Sequence, residues 1–425
     1  MVHAMKAKSA ALHFGLPQSN FTRRGALGMG AGALAGLVLG RSAAAQSAKM
    51  PFEKWVEAFR RRARERGVSD ATYGRVMGAL KPDLSVYELD RYQPEFEEEV
   101  WQYLNRRVSD WRIATGRERA KENADVLERV EREYGVDRHI MLGVWGMESA
   151  FGDIVTNPKH MRPIFPALAA LAWGEPRRRS YWEQELLNAL VIVERGWAAP
   201  EEMIGSWAGA MGHTQWMPEV WLNMGVDFNK DGKISPFGSP DDALAGTARY
   251  FAERGKYRRG EGWGYEVRAP APLVAKARGM RTIANWHAAG VTRANGKPFP
   301  RPQEQARLWQ PVPGGPLFLL TRNFDAVKSY NPANTYTLAV CHLGDRIAGE
   351  GPFVQEFPDS ERLPTLAEVQ EIQERLTALG YDSGGTDGRV GKDTMSAIRR
   401  FQAKAGMKPD GYAGLKLLAR LREGG

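Results

Sequence analysis

The chain has one cysteine in 425 residues, Cys341, so no internal disulfide can brace it. Cys341 lies in the apolar run Leu338-Ala339-Val340-Cys341, where a buried core thiol is the expected role. No lysine-rich tail and no nucleic-acid-binding motif is present, which argues against nucleic acid as a partner. The glycine-rich run 205–218 lacks both the GxxxxGK[ST] spacing and the lysine of a phosphate loop. The amino-terminal half carries no alternating strand pattern of any length, so helices are expected to dominate it. Acidic residues are missing altogether from positions 1–45.

Those 45 positions read as a targeting segment. A basic region ends in Thr22-Arg23-Arg24, a Gly/Ala/Leu-rich stretch runs over 25–40, and Ala43-Ala44-Ala45 predicts cleavage near Ala45-Gln46. The paired arginines, the long basic region and the weakly hydrophobic core suggest twin-arginine export. Gly25-Ala26-Leu27 stands where such a signal usually carries Phe and Lys, which keeps the general secretory route open. The apolar stretch is short for a membrane span of about 20 residues. No cysteine follows it, which excludes a lipoprotein. The expected product is a periplasmic protein without an integral membrane span. Removing five basic residues from 59 leaves 54 against 50 acids, so the net charge falls from +9 to +4. That mild excess suits an anionic polymer.

Over 52–67 the spacing predicts an amphipathic helix with Phe52, Trp55, Val56 and Phe59 as its stripe and Arg60-Arg61-Arg62 on a solvated face. Helical patterns recur over 95–113, 117–134 and 181–194. Leu127, Val130 and Tyr134 repeat at helical spacing, and Gly135 offers a stop. Asp137 can cap a following helix that carries Ile140, Met141, Val144 and Trp145 on one face. Glu148 falls at i+4 from Val144 and i+8 from Ile140, on that same face. A carboxylate that loses hydration has its pKa pushed up. A protonated carboxylic acid in an apolar cleft can donate to a leaving oxygen. A glutamate at a helix end can equally face water or pair with an arginine, and spacing alone does not choose.

In the run 205–218, Ser206, Gln215 and Trp216 offer hydroxyl, amide and aromatic groups among glycines that permit close approach. Tight helix packing explains the run equally well. Asp227, Asn229, Asp231, Gly232 and the Lys233 carbonyl then follow the opening of an EF-hand calcium loop. Gly238 stands at the twelfth position in place of Glu, and Asp241 could close a lengthened loop. Residues 255–320 turn rich in Gly, Pro and Arg, with short runs that read as strands. A helix is expected over 335–347 and a proline-bearing linker over 351–364. Residues 365–422 open with the capping box of Thr365 and Glu368 and carry three helical patterns, a small separate domain.

Gln93-Pro94-Glu95-Phe96, the stretches 143–152 and 205–218, the Asp227 loop and Tyr330-Asn331 together resemble the lytic murein transglycosylases of the membrane-bound B type, across roughly 52–349. The tail, through Val369-Gln370, Gly380-Tyr381, Asp387-Gly388, Phe401-Gln402 and Asp410-Gly411, is similar to the common three-helix peptidoglycan-binding domain. The resemblance implies a mainly α fold. A lysozyme-like helical catalytic domain would occupy 46–350, with the β-rich part at 255–320 inserted, and the peptidoglycan-binding domain would follow at 365–422. It implies cleavage of the β-1,4 bond between N-acetylmuramic acid and N-acetylglucosamine, leaving a 1,6-anhydromuramic end and requiring no cofactor. Glu148 would serve as general acid and then base, with Ser206 and Asn331 orienting the substrate near its acetamido group. Gln215, Trp216, Met217, Tyr250, Tyr330 and Tyr336 would line the sugar cleft, where Trp207 and Trp216 replace other aromatics. Asp227, Asn229, Asp231, Lys233 and Asp241 would hold a structural calcium ion. The partner would be peptidoglycan, through its glycan strand or its stem peptide. Two other readings stay open: a hydrolytic muramidase, which needs a second carboxylate, and a non-catalytic wall-binding scaffold. The acid nearest to Glu148 in sequence, Asp153, lies off its helical face.

Overall fold

The computed structural model describes residues 50–89 and 98–424. The expected export segment at 1–45 and the Gln93-Pro94-Glu95-Phe96 stretch lie outside them. Helices dominate the described residues, and none is long and apolar enough to cross a membrane.

The first helix, Phe52–Glu65, buries Phe52, Trp55, Phe59 and Ala63 along one stripe. It packs into a core shared with the helices Ile164–Gly174 and Arg179–Glu194. Ile164–Gly174 is apolar nearly all round and is buried accordingly. The pattern over 95–113 is not one helix but two, Val100–Arg107 and Asp110–Glu122. Ser109 breaks it, because its hydroxyl accepts the Arg112 N–H and starts a new helix. A second break at Asn123 separates Ala124–Tyr134, which Gly135 ends in the left-handed conformation at φ +73°.

Asp137 then caps Arg138–Ser149 by accepting the His139 N–H at 2.7 Å. This helix packs along Asn334–Ala348, and glycines set the separation. A Cβ on Gly143 would stand 2.3 Å from the Val340 carbonyl oxygen, and one on Gly344 would stand 2.6 Å from that of His139. The pairs His139/Gly344, Gly143/Val340 and Glu148/Tyr336 follow one antiparallel register, each step along one helix matched by a step back along the other. Around this pair lies a second core, which includes Met141, Val144, Trp145, Leu338 and the fully buried Cys341.

Five strands between residues 264 and 321 form an antiparallel sheet in the order Arg281–Thr282, Gln305–Trp309, Leu317–Thr321, Gly264–Arg268, Thr292–Arg293. The central strand Leu317–Thr321 is buried along its whole length, as its unbroken apolar run requires. The segment 351–364 is largely exposed but is anchored to the sheet and to the helix Asn334–Ala348. The Phe353 ring stacks on His342 at 3.8 Å, and the Glu266 carboxylate accepts the Val354 and Gln355 N–H groups at 2.7 Å each. The tail folds as Leu366–Ala378, Lys392–Lys404 and Leu415–Arg422. Each of its first two helices carries a buried glutamine that clamps an Asp-Gly turn. Gln373 accepts from Gly388 N–H and donates to Asp387, and Gln402 does the same for Gly411 and Asp410.

Gly143→Ala forces the helix pair apart against a backbone carbonyl, an overpacking expected to destabilise the fold by about 1–3 kcal/mol. Urea denaturation checks this. A variant as stable as wild type would mean that the close approach carries no structural weight.

Candidate active site

Glu148 stands one residue before the end of its helix, where the chain turns through three successive left-handed residues, Ala150, Phe151 and Gly152. The Ser149 hydroxyl locks that turn, donating to the His213 carbonyl at 2.6 Å and accepting the Gly152 N–H at 2.9 Å. The neighbouring Trp145 indole N–H donates to His213 Nδ1 at 3.1 Å, while Nε2 lies 2.8 Å from the Gly238 carbonyl. An acceptor Nδ1 and a protonated Nε2 satisfy both contacts, and burial lowers the His213 pKa to keep the ring neutral. The helix end is thereby tied to the glycine-rich run 205–218.

The Tyr336 hydroxyl donates to the Glu148 carboxyl across the helix pair. Burial pushes that carboxyl up to about 7 from 4.5, while the Tyr336 donor and the nearby Arg107 guanidinium pull it back. The group faces a cavity of about 830 Å³ that Asn331, Tyr336, Trp207 and Tyr103 also line. Glu98 is the only other carboxylate on that lining among the described residues, and Arg106 holds it at 2.8 Å. One face of the cavity belongs to the C-terminal domain, through residues such as Arg389, Lys392 and Tyr412. That domain docks by polar contacts: Gln102 to Asp410 at 3.0 Å, Asn105 to Tyr412 at 2.9 Å and Arg389 to Asp153 at 3.0 Å.

The expected residues do not all meet there. Glu148, Asn331 and Tyr336 share the cavity. Ser206 accepts the Ala210 N–H, and Gln215, at φ +55°, donates to the Gly212 carbonyl at 3.0 Å, so both shape the glycine-rich run. Met217, half-buried, precedes the helix Pro218–Met224. Tyr250 and Tyr330 meet edge to face at 5.3 Å, with their hydroxyls bound to the carbonyls of Ser329 and Thr214. Trp216 departs from expectation. It is fully buried, its indole N–H donates to Thr247 at 2.9 Å, and its ring fills the space that Gly246 leaves open. It is a core residue, not part of a sugar-facing wall. Arg107, Tyr103, Asn105 and the Ser149–His213 pair carried no local signal, since nothing in their spacing tells that they converge on Glu148.

In the acidic loop, Asp227 accepts the N–H groups of Asp231 and Gly232, Asn229 that of Asp231, and Asp231 that of Lys233. Asp241 does not close this loop. Its carboxylate is taken by the Ser239 hydroxyl and by Arg129 at 3.3 Å. Asp242 turns to the loop instead, accepting from Phe228 N–H at 2.8 Å and Ser235 N–H at 3.0 Å. No group of three His, Cys, Asp or Glu that could hold a metal ion is found among the described residues. The hard oxygens of Asp227, Asn229 and Asp231 suit calcium chemically, while the Arg129-bound Asp241 does not fit as a ligand.

Residues 51–345 match the family model described as a transglycosylase SLT domain, and residues 365–421 match that of a peptidoglycan binding domain. The membrane-bound lytic murein transglycosylase B of Escherichia coli (strain K12) is 32% identical over 228 residues, which is 53% of this chain and 60% of that protein. SltB3 from Pseudomonas aeruginosa, solved in complex with NAG-NAM-pentapeptide, is 39% identical with a TM-score of 0.68, over 87% of this chain and 99% of that one. The Escherichia coli lytic transglycosylase Slt35, solved in complex with calcium, is 27% identical with a TM-score of 0.60, over 71% and 93%. The TM-scores of 0.68 and 0.60 show that this chain shares its fold with the two solved structures.

A carboxyl whose pKa is raised by folding favours the folded state below its ordinary 4.5, and that advantage is lost as pH rises through about 7. Glu148→Gln is therefore expected to match wild type in stability at pH 4 and to exceed it at pH 8. At 1.36 kcal/mol per pH unit, the rise from 4.5 to about 7 makes the gain about 3 kcal/mol. Thermal melts at the two pH values check it, and an equal difference at both would remove desolvation as the cause.

Proposed function

The chain belongs to the SLT-domain transglycosylase family, and from that membership we propose that it cleaves peptidoglycan as a lytic transglycosylase. One observation carries the reading: among the described residues, a single half-buried carboxyl with its pKa near 7 faces a large cavity whose other carboxylate is paired with Arg106. A glycosidase of the usual inverting or retaining kind works with two carboxylates. A one-acid reaction does not, provided the substrate supplies the second group.

In that reaction protonated Glu148 gives its proton to the oxygen leaving muramyl C1. The developing positive charge at C1 is met by the substrate's own acetamido oxygen, and Asn331 lines the cavity where that group would be oriented. The Glu148 carboxylate then takes the proton of the muramyl 6-hydroxyl as its oxygen bonds to C1. This closes the 1,6-anhydro ring and restores the acid, so no water is consumed. Tyr336 acts on Glu148 throughout, since its donated hydrogen bond favours the carboxylate needed in the second step. The C-terminal domain would grip the same polymer, and the expected export segment would carry the chain to it in the periplasm. A calcium ion taken by Asp227, Asn229, Asp231 and the Lys233 carbonyl would brace the acidic loop, without part in bond cleavage.

Mass spectrometry of murein sacculi digested by the protein and by Glu148→Gln tests the proposal. Anhydromuramyl products from wild type alone are expected. Reducing ends would indicate a hydrolase, and binding without digestion by either protein a scaffold. Tyr336→Phe removes a donor that favours the ionised acid, so the alkaline limb of its kcat/KM profile should move to higher pH. An unmoved limb would take Tyr336 out of this role. For the loop, a chelator should lower the melting temperature of wild type and leave Asp227→Ala unaffected. A chelator-insensitive wild type would remove calcium from the account.

A further inference from the structure

Among the described residues, six basic side chains line the cavity that holds Glu148: Arg106, Arg107 and Arg112 from the larger domain, and Arg389, Lys392 and Arg399 from the C-terminal domain. Three of them are engaged. Arg106 binds Glu98, and Arg389 binds Asp153 at 3.0 Å while lying 4.2 Å from the centre of the Trp111 ring. Arg112 donates to the main-chain carbonyls of Gly146 and Arg106. Arg107, Lys392 and Arg399 have no ion pair among the described residues, and Arg107 Nε is buried without a hydrogen-bond partner. The crowding is real electrostatically: burial, with Arg107, Arg106 and Arg389 close by, pushes Arg112 down to about 9. A cavity lined with more positive than negative side chains among the described residues favours an anionic ligand.

On the reading that this cavity cleaves beside a muramyl sugar, the anion at hand is the stem peptide. It is attached to that sugar and carries free carboxylates. A five-residue peptide extends up to about 17 Å, long enough to run from a sugar beside Glu148 along the wall that the C-terminal domain provides. We infer that Arg107, Lys392 and Arg399 form a carboxylate-reading subsite for the stem peptide, built jointly by the two domains at the point of cleavage. The C-terminal domain then selects which glycan is cut, in addition to holding the chain on its polymer.

The test compares kcat/KM of the full chain on three substrates. These are uncross-linked glycan bearing its peptides, the same glycan stripped of peptide by an amidase, and the peptide-bearing glycan with its carboxylates converted to amides. Wild type should prefer the native substrate over both others by about tenfold or more, the effect of one hydrogen bond between charged groups. In the double variant Lys392→Met with Arg399→Met that ratio should fall toward one, while Lys392→Arg keeps it. Both residues are exposed, so their replacement leaves the fold intact. Equal rates on all three substrates overturn the inference while leaving the lytic reading standing. So does an amidated substrate cut as fast as the native one, because bulk and not charge would then be read. An unchanged preference in the double variant overturns it as well. Cleavage of none of the three would instead strike at the lytic reading itself.

Discussion

The close approach of two antiparallel helices is the constraint on which the rest depends. Gly143 and Gly344 bring each helix against the other's main-chain carbonyls, closer than any side chain would permit. Because the two helices share one register, that contact also decides where Glu148 and Tyr336 stand, one helix end opposite the other. The position of Glu148 is thus set by backbone packing about one to two turns away. A rigid pair of elements suits the proposed reaction, in which one carboxyl would first give and later take a proton from nearly the same position.

Glu148 is held between opposing influences. Desolvation favours its neutral form, whereas the Tyr336 donor and the Arg107 charge favour the ionised one. The balance leaves it near neutrality, where both protonation states are reached at little cost. The surrounding polar groups are arranged to keep this balance fixed. Ser149, Trp145 and His213 tie the helix end to the glycine-rich run, and the buried chain from Trp216 through Thr247 to Thr214 ties that run to the helix Asp241–Glu253. Tyr330, bonded to the Thr214 carbonyl, brings Asn331 into the same framework. Each of these buried donors has a partner, so the network stiffens the site.

The C-terminal domain completes the cavity, yet it is held by contacts of another kind. Its own folding is local, through the capped helix Leu366–Ala378 and two glutamine clamps. Its docking relies on half-exposed hydrogen bonds and ion pairs, each worth little in water. The T-shaped contact of Trp101 with Tyr412 and the guanidinium of Arg389 over Trp111 add partly apolar area. The anchored segment 351–364 limits how far the domain can stray, since Phe353 and Phe357 are seated in the main core.

Much was determined by the sequence alone, because the forces involved are short in range. Helix periodicity, the Asp137 and Thr365 caps, the Gly135 stop and the apolar face bearing Glu148 are all local relations, and they appear in the structure where the pattern put them. So do the small strands near 264–321 and the three helices of the tail. What only the tertiary structure decided involves partners far apart in the chain. Trp216 and Trp207 are alike as letters, but the gap left by Gly246 draws one into the core while the other lines the cavity. Asp241 and Asp242 are neighbours, but the position of Arg129 decides which of them turns to the loop. The convergence of Arg107 with Lys392 and Arg399 spans nearly 300 positions, a separation at which no spacing rule operates and only the docking of one folded domain on another brings charge together.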